Sequence, residues 1–333
     1  MTTEQEDNME KYYMPAEWKP HLACLIFYPH NEGVFRSSSV STKHADNCNE
    51  TTKCDLARAQ VRNVARAVRD YGREDVFLFC NTPDAAGELS RVLQREEDKR
   101  NDDGDESEKD HKIIVKVCPS DDSWCRDTGP TFVFADSDGD DGNDQCTVTG
   151  LDWEFNAYGG EDGGCYWPCN FDKAIPKTVI PILSDQYSIP IQHVPVPNFV
   201  LEGGSIHTDG EGTILTTEEC LLNKNRNPKL AKDQIESILL HYLGAQKVIW
   251  LPLGLAFDDD TNGHVDNIAT FSRPGEVVLS WTDDETDENY PRFQKAHQIL
   301  LNEVDAKGRK IKVIRLHIPR PMVSFWLSLI IFL

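Results

Sequence analysis

The sequence lacks a run of apolar residues long enough to cross a bilayer. Its apolar tail, Met322 to Leu333, spans 12 residues, against the roughly 20 that a spanning helix needs. It also lacks a cationic surplus: 34 Lys and Arg stand against 56 Asp and Glu, a formal net charge of −22. That balance argues against nucleic acid and anionic membrane surfaces as partners. Most such charge simply solubilises a surface, but the same field draws in a small cation. A disulfide framework is missing too. Ten cysteines are scattered through 333 residues, a length that needs no staples, and this fits a reducing cytosol. Cys165 and Cys169 form a C-x₃-C pair, and Cys48 and Cys54 a looser one. Neither has a second pair at zinc spacing, so no metal site is read. The acidic run Asp136 to Asp141 is no EF-hand, which needs Gly where Asp141 stands and Glu where Thr147 stands. Met1 to Glu10 is polar and acidic, so no targeting peptide is read, and the cytoplasm is the expected location.

What the chain does contain is an alternation of strand-length apolar runs and helical periodicities. An apolar content of 39% supplies a sizeable core. Leu22 to Tyr28 reads as a strand, and the polar segment 37–52 as an insertion. Asp55 is expected to cap a helix with the apolar face Ala57, Val61, Val64, Val68 and Tyr71, stopped by Gly72. Val76 to Cys80 follows as a strand, and Asp84 is expected to cap a helix that ends near Arg95. The charged tract 96–110 reads as disordered, as does the insertion 136–146, and Ile113 to Cys118 as a strand. Further on, Ile206 to Asp209 and Thr213 to Thr216 make a hairpin around Gly210-Glu211-Gly212. Asn227 and Pro228 are expected to open a helix that ends at Gly244, before the strand Val248 to Leu251. The order then repeats, with a hairpin across Pro274-Gly275, a helix Phe293 to Val304 and a strand Ile311 to Leu316. Hairpin, helix, strand at a period of roughly sixty residues is an architectural repeat.

The stretch that organises the rest is Gly263-His264-Val265-Asp266-Asn267. Read as the start of a strand, it turns His264 and Asp266 to one face and Val265 into the core. A lone His-x-Asp is far more often an ordinary hydrogen-bonded pair than a site. Its company upstream changes the weight: Asp122 to Pro130, with Trp124, Cys125 and Asp127, and Leu201 to His207, with Glu202. Carboxylates grip a guanidinium in bidentate fashion, a histidine moves protons, and an indole offers a flat apolar wall. Such a set suits a planar cation.

These residues resemble the agmatine deiminases, within the guanidine-modifying (pentein) superfamily. The matching stretches are Met14-Pro15-Ala16-Glu17-Trp18, Trp124 to Pro130, Asp152 to Gly160, Leu201-Glu202-Gly203-Gly204-Ser205 and Gly263 to Asn267. The resemblance runs from about Met14 to Pro319. It implies an α/β fold, a five-bladed pseudo-symmetric α/β propeller of ββαβ-type units, over residues 1–320. It implies that Asp127 and Asp266 grip the guanidinium and that Trp124 packs against the alkyl chain. His264 would be the general acid and base, oriented by Glu202, and the four polar groups would converge on one cavity. The implied chemistry is thiolate attack on the guanidinium carbon, loss of ammonia, and hydrolysis of an amidino-cysteine. Agmatine would become N-carbamoylputrescine, a step of putrescine and polyamine biosynthesis, with no cofactor; an oligomer of identical chains stays open.

One departure stands out. The family's nucleophile lies in a Gly-Gly-Asn-x-His-Cys context near the C-terminus, and no such stretch occurs here. Residues 321–333 read as an aberrant apolar tail in place of the final blade. Cys125 has Arg126 beside it to lower its pKa, but in an extended segment it would face away from Asp127. Residues 1–333 by themselves are therefore expected not to turn over agmatine, and the alternative to a hydrolase is an inactive guanidinium binder or a nonfunctional product.

Overall fold

The computed structural model describes residues 12–32, 52–102, 110–135 and 147–319. The expected insertion at 136–146 and the tail 321–333 lie outside them, as does the segment expected at 37–52 except for Thr52. In chain order the strands are β1 (Tyr12–Tyr13), β2 (Ala23–Phe27), β3 (Asp75–Cys80), β4 (Ile113–Val117), β5 (Thr131–Ala135) and β6 (Thr147–Glu154). There follow β7 (Ile191–Val200), β8 (Ile206–Thr208), β9 (Thr213–Thr217), β10 (Lys247–Leu251), β11 (Ala269–Arg273), β12 (Glu276–Trp281) and β13 (Lys312–His317). The chain divides into two compact units, a smaller one of residues 20–129 and 169–179 and a larger one holding the rest. No helix among the described residues is long and apolar enough to cross a membrane.

The larger unit carries the repeat three times. The hairpins β5–β6, β8–β9 and β11–β12 are antiparallel, and β7, β10 and β13 each add in parallel to the second hairpin strand. A parallel partner needs a crossover, and here a helix lies between in sequence each time: Ile175–Tyr187, Lys232–Leu243 and Tyr290–Asn302. The sequence shows the last two copies openly. The first is masked by a polar β6 and by Gly150, where an added Cβ would sit 2.6 Å from the Ile180 side chain, so a helix packs close on the sheet. Leu239, Leu243 and Phe199 lie in one core of this unit, and Phe271, Leu279 and Phe293 in another.

Asn227 does not open the helix that follows it. Its side chain bonds Val200 twice, accepting from the backbone N at 2.9 Å and donating to the O at 2.9 Å, and the helix begins at Lys232. A tertiary use of the amide displaces the local capping one. Gly244 ends that helix as expected, in the left-handed region at φ 63°.

The smaller unit is a parallel sheet in the order β2-β3-β4, packed through Val76, Leu78 and Cys80 against Val61, Ala65 and Leu89. Three local expectations change here. Thr52, not Asp55, caps the helix Lys53–Ala67: its hydroxyl accepts from Asp55 N at 3.1 Å, and the Asp55 carboxylate accepts from Thr52 N at 3.1 Å. That reciprocal pair is a capping box. The buried face is Cys54, Ala57, Val61 and Ala65, whereas Val64 is 42% exposed and Tyr71 86%. The next helix starts with Pro83, behind the Thr82 hydroxyl that accepts from Ala85 N, and runs on to Asp102. The reading of 96–110 as disordered fails over its first seven positions, 96–102, because the charges have partners. Glu96 pairs with Arg62 and Arg66, Glu97 with Arg69, and Arg100 with Asp70. Opposite charges on the neighbouring helix support a segment that composition alone assigns to solvent.

Candidate active site

Glu202 follows β7 and is wholly buried. The turn after it, Gly203–Ser205, closes on its carbonyl, which accepts from Ser205 N at 3.0 Å and from Ser205 Oγ at 2.6 Å. A carboxylate in such a place needs a cation, and Arg226 supplies it, with Nε donating to Glu202 Oε1 at 2.5 Å. Neither side chain has any solvent exposure. The rest of the guanidinium is held by acceptors: Tyr158 O at 2.6 Å, Asn225 Oδ1 at 2.7 Å, Asn262 Oδ1 at 2.9 Å and Thr261 O at 3.2 Å. Ala157 and Tyr158 both take positive φ, 53° and 68°, a costly conformation for residues with a Cβ, and the Tyr158 carbonyl is the one that Arg226 binds. One buried arginine thus joins the loop after β6, the loop after β9 and the loop ahead of His264.

The second oxygen of Glu202 faces His264, whose Nε2 lies 3.9 Å from Oε2. The imidazole is 2% exposed and lies beside the Tyr158 ring, tilted 58° to it with centroids 6.1 Å apart. Burial alone would push the Glu202 carboxyl up, but His264 and Arg226 outweigh it and hold it below the usual carboxylate range. A buried anion kept ionised beside an imidazole is an arrangement that orients and charges a proton carrier.

His264 and Asp266 are not adjacent strand positions. Val265–Asn267 is one turn of 3₁₀ helix, β11 begins only at Ala269, and Asp266 is exposed while Val265 is buried. The loop folds this way because Asp258 gathers it, accepting from Thr261 N at 2.9 Å, Gly263 N at 3.1 Å and Asn267 Nδ2 at 3.3 Å. Gly263 sits at φ +87° with Gly254 against it. From below, the Thr217 hydroxyl donates to Gly263 O at 2.6 Å and accepts from Cys220 N at 3.2 Å. Cys220 is therefore brought to the site: its sulfur, a Glu202 oxygen and an imidazole nitrogen of His264 all lie within 4.8 Å of one another. Burial pushes the Cys220 thiol up, against the partial relief of a hydrogen bond with His264. Sequence reading misses Arg226, Asn225, Thr217 and Cys220. The polar run Asn223 to Asn227, of which sequence reading uses only Asn227, as a helix opening, is the signal that could have found the first two. His207, by contrast, is structural, with Thr270 Oγ1 at 2.8 Å from Nε2 and Phe271 N donating to Nδ1.

Trp124 and Asp127 stand in the smaller unit. Cys125–Thr128 is a single helical turn, so the extended geometry expected for Cys125 does not occur. Trp124 is 46% exposed and Asp127 half-buried. Burial pushes the Cys125 thiol up to about 12, and the nearby thiols of Cys24 and Cys118 add to it, so Arg126 does not activate it. Asp122 is also displaced, to about 6 from 3.8, by burial first and then by the charges of Asp172 and Asp127. A raised carboxyl pKa means the folded state holds the extra proton between those two values, so stability falls as pH rises across that window. Asp122→Asn is expected to stabilise the protein at pH 7 by about 3 kcal/mol and to change little at pH 4. Urea denaturation at the two pH values checks it, and equal gains at both would exclude the carboxyl's ionisation as the cause.

Against known proteins, residues 13–328 match the family described as Porphyromonas-type peptidyl-arginine deiminase. The chain is 40% identical over 323 residues to an agmatine deiminase of Medicago truncatula, covering 97% of this chain and 75% of that protein. It is 40% identical over 312 residues to an agmatine deiminase of Stutzerimonas stutzeri, covering 93% of this chain and 72% of the relative. Among solved structures, an agmatine deiminase of Enterococcus faecalis superposes with a TM-score of 0.73 at 32% identity, covering 98% of this chain and 76% of that one.

Proposed function

The chain belongs to the Porphyromonas-type peptidyl-arginine deiminase family, and from that premise we propose that it hydrolyses agmatine to N-carbamoylputrescine and ammonia. The observation that carries this is the buried Arg226–Glu202–His264 line, a fixed proton carrier ready for a leaving amine. The relatives named agmatine deiminases set the substrate, and the net charge of −22 suits a small cation. His264 acts as general acid and base, Glu202 orients it, Asp127 and Asp266 hold the guanidinium, and Trp124 packs against the alkyl chain. The hairpin–helix–strand units are blades of a five-bladed propeller.

The reaction proceeds by thiolate attack on the guanidinium carbon. Ammonia departs with a proton from His264, and water then cleaves the amidino-cysteine with His264 taking the proton back. The attacking thiol is assigned to the Gly-Gly-Asn-x-His-Cys context, which residues 1–333 do not contain. Ammonia release from agmatine and from arginine is therefore measured on residues 1–333, and on residues 1–320 joined to a family segment bearing that stretch. Release from agmatine ahead of arginine is expected; its failure in both proteins would overturn the reading. Asp266→Asn is expected to weaken agmatine binding by about 1.5 to 3 kcal/mol, one lost charge-assisted contact, and Ser205→Ala by less. Calorimetry compares them, and equal losses would remove Asp266 from the grip.

A further inference from the structure

Thr217 places two reactive groups with one hydroxyl. It caps the one-turn helix Glu218–Leu221 by accepting from Cys220 N, and it donates to the carbonyl of Gly263, the residue before His264. The thiol of Cys220 and the imidazole of His264 are thereby held against the same carboxylate. Arg226 occupies Oε1 of Glu202, and Oε2, which has no hydrogen-bond partner, faces His264. The result is a sulfur, a nitrogen and a carboxylate oxygen, from three buried side chains, all within 4.8 Å of one another. No spacing in the sequence announces this set, since its members lie at positions 202, 220 and 264.

We propose that Glu202, Cys220 and His264 form a site for a thiophilic divalent cation of the zinc class. Bonds of about 2.0–2.3 Å to oxygen, nitrogen and sulfur put the donors of a tetrahedral ion roughly 3.3–3.8 Å apart, so the cluster needs to contract by about an ångström. Three protein donors leave a fourth position open for water. A thiolate with an imidazole selects zinc, cobalt or cadmium over calcium or magnesium. The single Arg226 Nε–H bond to Oε1 fixes the carboxylate with its other oxygen presented, as outer partners of metal sites do. Binding replaces the S–H bond with a metal–sulfur bond and releases that proton to solvent, with no change of oxidation state. On the catalytic reading above, on which only this consequence rests, the ion takes the imidazole that carries protons, and so inhibits.

Cobalt(II) is titrated into the 333-residue protein and followed by absorption. One equivalent should give a thiolate-to-cobalt charge-transfer band in the near ultraviolet and intense visible bands of four-coordinate cobalt, both erased by zinc. Cys220→Ser and Cys220→Ala should each lose the charge-transfer band, and His264→Ala should weaken binding at least about tenfold. Cys165→Ser, which alters an exposed thiol, should leave the spectrum unchanged. Persistence of the band in both Cys220 variants, or six-coordinate cobalt spectra in the parent, would overturn the site. If the bands form as expected but zinc leaves ammonia release untouched in the protein that bears the Gly-Gly-Asn-x-His-Cys segment, the metal site stands and the role of His264 falls.

Discussion

His264→Ala is expected to lower the rate of ammonia release from agmatine by a factor on the order of 10² to 10⁴, the span covered by one placed proton carrier. The imidazole is fixed from both sides. Gly263 is tied to Thr217 through its carbonyl and to Asp258 through its amide, and Nε2 looks onto a carboxylate that cannot turn away because Arg226 holds its other oxygen. His207 is no substitute in this place, since it is spent on Thr270 and Phe271. Agmatine affinity should change little, because the guanidinium grip is assigned to aspartates. Steady-state rates in the form of the protein that turns agmatine over, with calorimetry beside them, separate the two quantities. A loss in rate below tenfold in a folded variant would mean that another group carries the proton. Glu202→Gln should fall between variant and parent, as suits a residue that acts through His264.

Arg226→Met is expected to cost about 3 to 5 kcal/mol of stability at pH 7, the usual penalty for removing one partner of a buried ion pair. Five acceptors lose the arginine at once, Glu202 Oε1, two carbonyls and two amide oxygens, and of these Tyr158 O and Asn262 Oδ1 keep a second donor in Asn225 Nδ2. The pH dependence distinguishes the charge from the packing. Glu202 has a depressed pKa in the folded protein, below its ordinary 4.5. It therefore contributes stability that is present above pH 4.5 and is lost as pH falls toward the folded value. Without Arg226, burial dominates and the carboxyl rises, so the variant is penalised most at neutral pH, and the gap to the parent narrows near pH 4. Chemical denaturation across pH 4 to 7.5 measures this. The double variant Arg226→Met, Glu202→Gln should recover part of the loss, since the stranded charge is gone. A gap independent of pH, with no recovery in the double variant, would assign the whole effect to packing.

Much of the architecture is legible in the order of residues. Period-two and period-3.6 patterns place β8–β9, β11–β12 and their following helices within a few residues, because the hydrophobic faces that write those patterns are the faces that get buried. The helix end at Gly244 and the glycine turn at Gly210-Glu211-Gly212 are likewise set by local chemistry, a left-handed φ that glycine adopts without strain. The capping of Lys53–Ala67 by Thr52 was open to the same reasoning, and an Asp three positions on was mistaken for the cap rather than for its partner.

The chain by itself also names two members of the proposed site, since Glu202 and His264 stand in motifs whose order along the sequence is distinctive. It did not determine how they meet. That Asp266 turns outward while His264 turns in depends on Asp258, which draws the loop into a turn where a strand was expected. That Glu96 to Asp102 is helical depends on arginines some thirty positions upstream. That Arg226 and Cys220 stand beside Glu202 at all depends on burial, because an arginine and a thiol in a polar run carry no local signal of their partners. Local sequence fixes backbone preference within a few residues; the pairing of buried charges is a through-space choice, made where desolvation makes an unpaired group too costly, and only the tertiary structure makes it.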